Sequence, residues 1–159
     1  MNGGIVPLLL ISATVGLILA FAPLRMAVYG LLAFAGAAML GYMGPKLFPL
    51  GAVFIGLWLS VVGTAVLAYL PVARWRIALV PVTINDGLWL GACAAMTSTA
   101  AGLFAGILTI LLVFPAKWLV ERQFAIVIKV IASWMIAIAS LSMFVSLMPT
   151  PGYEPDHME

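Results

Sequence analysis

Long apolar runs almost free of charge are the feature that most constrains this chain. Between Met26 and Met43 there is no charged residue, and between Ile77 and Pro115 there is one, Asp86. A helix that crosses the hydrocarbon core of a bilayer needs about 20 mostly apolar residues. A run of that kind cannot hide its side chains in a small soluble fold. The whole sequence has the same character, with 65% hydrophobic and 8% charged residues, whereas soluble domains carry about 25% charged residues. The expected class is all-α, a polytopic bundle of transmembrane helices joined by short loops.

Proline beside a basic residue punctuates the early runs. The first span is expected at about 5–22, stopped by Pro23 and Arg25. The second is expected at 26–43, stopped by Pro45 and Lys46, and the third at 50–70, stopped by Pro71. Proline breaks the helix, and the cation sits in headgroups or water. The first run has no basic residue ahead of it, unlike a cleaved signal peptide. It is read as a retained helix with its N-terminus outside. The last span is expected at 124–148, and residues 149–159 form a short acidic tail with Glu154, Asp156 and Glu159.

The stretch from Arg74 to Pro115 admits two readings. The preferred one is a single long helix over 87–114, with Asn85 or Asp86 as its N-cap and Arg74 to Ile84 as an interfacial segment containing Pro81. That gives five spans. The alternative is a hairpin of two short helices turning at Thr97, Ser98 and Thr99, which gives six spans and places Asn85 and Asp86 near mid-membrane. Pro81, Asn85 and Asp86 suit a span interior poorly, and this favours five. The positive-inside rule favours six, because Arg25, Arg74, Arg76, Lys117 and Arg122 then share the cytoplasmic side.

A small-residue stripe is the most specific pattern. Gly87, Gly91, Ala95, Ser98, Gly102, Gly106 and Thr109 would share one face of a long helix, and two of the pairs are GxxxG. Small residues let helix backbones approach closely in lipid. The stripe serves either packing within the chain or docking of a partner. A second small face on the last span, with Ser133, Ala137 and Ser140 beside Ala132 and Ala139, is expected to pack against it. The intramembrane polar residues are Asn85, Asp86 and Lys129. A charge inside a span is a functional candidate, although Lys129 is near enough to a helix end to snorkel.

Several chemistries find no residues to carry them. The seven basic residues are scattered, so nucleic-acid binding is not expected. The single histidine, His157, lies in the tail, and the single cysteine, Cys93, lies in an apolar run. No metal site, cofactor or catalytic constellation is expected, and the chain is read as not an enzyme. The expected partners are membrane lipids and either a second copy or another membrane subunit. The expected location is a bacterial-type inner or plasma membrane. The leading functional expectation is an accessory or interaction subunit that docks through the stripe. The alternative is a small transporter or channel built around Asp86.

Overall fold

The computed structural model describes residues 5–44, 49–69, 78–97, 103–104, 106–107, 110–122 and 124–148. Every regular element among them is helical. In chain order these are α1 (Ile5–Phe21), α2 (Leu24–Met43), α3 (Leu50–Leu67), α4 (Leu79–Met96), a 3-10 turn (Ile110–Leu112) that leads into α5 (Val113–Glu121), and α6 (Ala125–Leu147). Three helical stretches are long and apolar enough to cross a membrane: Leu24–Met43, Leu79–Met96 and Ile126–Val145. Val6–Phe21 and Gly51–Leu67 are shorter apolar helices.

The centre of the bundle is α1. It is apolar on every side, the pattern of a core helix, and Leu8, Ile11, Val15, Ile18 and Leu19 are all buried. It touches each of the other helices. Its two hydroxyls are satisfied within the helix, Ser12 Oγ donating to the Leu8 carbonyl at 2.8 Å and Thr14 Oγ1 to that of Ile11 at 2.8 Å. Pro23 ends the helix by disfavouring helical geometry at Ala22. It then serves as the N-cap of α2 with φ −56° and ψ 148°.

The expected helix over 87–114 does not form. The chain is already helical at Leu79 and leaves the helix at Thr97. In a continuous helix Leu90 and Gly106 would be about 24 Å apart. Instead, a methyl group on Gly106 would lie 3.0 Å from Leu90 Cδ1 and 3.0 Å from Ser12 Oγ. The chain therefore reverses between them, as in the hairpin alternative. Two local causes explain the difference. Pro81 is the third residue of α4, where the first-turn N–H groups have no intrahelical partner, so proline costs no hydrogen bond there. Thr97 turns its hydroxyl onto the Cys93 carbonyl at 2.9 Å, a local bond that competes with continuation of the helix. Asp86 is correspondingly not a cap, because it lies well inside α4.

α2 and α4 run parallel and pack closely. A Cβ on Gly87 would meet Ala37 Cβ at 2.9 Å and Ala38 N at 3.1 Å. One on Gly91 would meet Tyr42 N at 2.7 Å, and one on Gly41 would meet Ala92 N at 3.1 Å. Backbones this close require glycine, and the van der Waals contact they gain replaces the hydrophobic drive that lipid does not supply.

α6 rests on α1 and α3 through Ile128, Ala132, Met135 and Ala139, all buried. Ser133, Ala137 and Ser140 are exposed, so the expected packing of that face against the glycine stripe does not occur. The outer side of α6 presents Ile126, Trp134, Leu141 and Phe144, an apolar surface of the kind that lipid can solvate. Two polar contacts tie helix ends together. Lys117 Nζ donates to the Ala22 carbonyl at 3.1 Å, and the Tyr69 hydroxyl donates to the Lys129 carbonyl at 2.7 Å.

Candidate functional site

The α3–α4 contact holds the polar side chains that the apolar runs conceal. Within α3 the hydroxyl side chains are those of Ser60 and Thr64. Ser60 and Thr64 are four residues apart and so share one face. Across from them, α4 brings Asn85 and Asp86. Asp86 is seven residues into α4, about 10 Å from its start, and has no exposed surface.

The hydrogen bonds fix how these groups are oriented. Thr64 Oγ1 donates to Asp86 Oδ2 at 2.6 Å. Asn85 Nδ2 donates to Ser60 Oγ at 2.7 Å and reaches Asp86 Oδ1 at 3.4 Å. Trp89 Nε1 donates to Asn85 Oδ1 at 3.1 Å. An indole N–H can only donate, so Asn85 must turn its oxygen to Trp89 and its NH₂ to Ser60 and Asp86. The amide is thereby locked, and it offers protons rather than lone pairs to the carboxyl group.

Two open recesses meet at this cluster. A groove of about 570 Å³ lies between α3 and α4, lined by Ser60, Thr64 and Asn85 at its middle. It reaches Leu67 and Pro81 at one end and Gly56 and Trp89 at the other. A second recess, of about 210 Å³, is lined by Asn85, Trp89, Leu88 and Gly41 and reaches Gly44, the C-cap of α2. Along α4 the groove spans Pro81 to Trp89 on the α3 side and the second recess spans Asn85 to Ala92 on the α2 side, so the two overlap at Asn85 and Trp89. Asn85 and Trp89 belong to both and form the wall between them. Gly56 makes room for that wall, since a Cβ there would sit 2.7 Å from Trp89 Cζ2.

Of the residues singled out from sequence, Asn85 and Asp86 come together and Lys129 does not join them. The Lys129 side chain is exposed on α6. Gly87 and Gly91 pack within the chain against α2, Ala95 is half-buried, and Gly106 faces Leu90 and Ser12. Ser98, Gly102 and Thr109 lie outside the described residues, as do Arg74, Arg76 and the tail with His157. Cys93 is buried and unpaired with another cysteine. Among the described residues no three His, Cys, Asp or Glu side chains cluster as metal ligands.

Sequence reasoning missed Ser60, Thr64 and Trp89. A signal for them exists. Gly56, Ser60 and Thr64 recur every four residues in an otherwise apolar run, and Asn85 and Trp89 are spaced by four on the facing helix. In comparisons with protein-family models, curated proteins and solved structures, nothing matches the chain.

Proposed function

We propose that this chain is a small six-span membrane transporter in which Asp86 takes up and releases a proton. The observation that carries the proposal is the position of Asp86. It is a fully buried carboxyl group held by Thr64 and Asn85, beside the Asn85–Trp89 wall that two recesses share, one on the α3 side of α4 and one on the α2 side. An ionisable side chain inside a membrane is costly and marks proton and ion pathways.

The cluster suits a proton better than a metal cation. A cation needs converging oxygen lone pairs. Here the locked amide of Asn85 presents N–H groups toward the carboxyl, and its oxygen faces Trp89. Both protonation states of Asp86 can be satisfied in place. The anion accepts from Thr64 and Asn85. The acid can donate to Thr64 Oγ1, whose hydroxyl rotates and serves as either donor or acceptor.

The six-span arrangement rests on the two tied helix ends. With six crossings, Ala22, Tyr69, Lys117 and Lys129 all fall on one side, which permits the Lys117–Ala22 and Tyr69–Lys129 bonds. With five, both bonds would have to cross the membrane. Six crossings also gather Arg25, Arg74, Arg76, Lys117 and Arg122 on one side, as the positive-inside rule prefers. The accessory-subunit reading is less well supported, because two of the glycines it relied on, Gly87 and Gly91, are occupied by α2.

Proton flux in liposomes tests the proposal. Purified protein is reconstituted with an entrapped pH-sensitive dye, and a membrane potential drives protons inward. The wild type is expected to acidify the lumen, and Asp86→Asn, which has nearly the same shape, to abolish that flux while eluting normally on size exclusion. Undiminished flux in Asp86→Asn, or none in the wild type, overturns it.

A further inference from the structure

A third cavity shares no residue with the Asp86 cluster. It is an apolar groove of about 310 Å³ between α2 and the segment that leads into α5. Ala27 and Ile110 are buried at its floor, and Leu111 and Phe114 stand exposed at its rim. Along α2 it extends from Leu24 to Ala35, eleven residues or about 16 Å. One leaflet of a bilayer contributes about 15 Å of hydrocarbon. The groove therefore has the length of one acyl chain lying in one leaflet.

Positive charge gathers at one end of the groove and not at the other. Arg25 adjoins Leu24 and is exposed. Lys117 lies one turn beyond Phe114, and its Nζ is held 3.1 Å from the Ala22 carbonyl. That single bond leaves the ammonium with further donors. The Ala35 end of α2 carries no charged residue as far as Met43. Arg122 stacks over Trp118 at 5.0 Å on the same helix, an arrangement typical of the headgroup level.

We infer that this groove is a binding site for one anionic phospholipid, with an acyl chain between α2 and α5 and the phosphodiester at Arg25 and Lys117. The groove sets the position of the chain, and the two cations at its end select headgroup charge. Basic pockets between helices on the cytoplasmic side recognise anionic headgroups in this way.

Native mass spectrometry of the delipidated full chain tests the site, with dioleoyl phosphatidylglycerol and dioleoyl phosphatidylcholine added in turn. One phosphatidylglycerol should be retained in preference to phosphatidylcholine, by about fivefold for each engaged cation. Arg25→Gln, at an exposed position, should lower phosphatidylglycerol retention by about fivefold. Ala35→Phe should fill the groove and remove the bound lipid of either kind. Equal retention of the two lipids overturns the inference. So does phosphatidylglycerol retention that is unchanged by Arg25→Gln, whatever the behaviour of Ala35→Phe.

Discussion

At the scale of single residues, Thr64 and Trp89 have separable tasks around Asp86. Thr64 supplies the short hydrogen bond to the carboxyl group, and a bond to a charged group contributes about 1.5–3 kcal/mol. If that bond is made in the step that limits transport, Thr64→Ala should slow proton flux about tenfold to a hundredfold. Thr64→Ser, which keeps the hydroxyl, should restore most of it. Trp89 acts instead as the wall between the two recesses. Trp89→Ala joins them, so a leak should appear in the same liposome assay, and proton flux should exceed that of the wild type. Asn85 depends on Trp89 for its orientation. Asn85→Asp should therefore alter the cluster more than its similar shape implies, because the indole would then donate to a carboxylate.

At the scale of helices, the glycines divide into those that are crowded and those that are not. Gly91 faces the backbone of α2, whereas Gly36 meets nothing within 4 Å of an added Cβ. Gly91→Ala should destabilise the protein by about 1–3 kcal/mol through overpacking. Gly36→Ala should be neutral or should stabilise it by up to about 1 kcal/mol through helix propensity. Thermal unfolding in detergent distinguishes the two. The starts and stops of α1, α2, α3 and α6 were largely legible in the sequence, because proline and cations sit at those boundaries. The expected third span ran to 70, while α3 ends at Leu67 with Ala68 and Tyr69 in a turn. The region around α4 was not legible for a physical reason. Proline breaks a helix in its interior and is harmless in its first turn, and composition alone does not say which position Pro81 takes. The glycine spacing also runs on past Thr97, although the chain turns there, since periodicity carries no information about reversal. Asp86 and Asn85 were visible as isolated polar residues. Their partners on α3 lie more than twenty positions away, and only the folded contact identifies them.

For the whole molecule, the proposed six-span arrangement makes a simple geometric prediction. Single cysteines at Gly44 and Thr97 should label from one side of the membrane and a cysteine at Arg122 from the other, each introduced into a Cys93→Ala background. Labelling of Thr97 and Arg122 from the same side would contradict the arrangement. The larger groove runs along α4 from Pro81 to Trp89, and the smaller recess runs from Asn85 toward the Gly44 end of α2. On the proposed reading, movement of the Asn85–Trp89 wall exposes Asp86 first to one recess and then to the other, while the tight α2–α4 contact holds its shape. Infrared difference titration of the protein in lipid bilayers tests this account most directly, because it observes the carboxyl group itself. The account predicts that a carbonyl band of a protonated carboxylic acid gains and loses intensity as pH is cycled, and that this band is missing in Asp86→Asn. Identical difference spectra for the wild type and Asp86→Asn would contradict it.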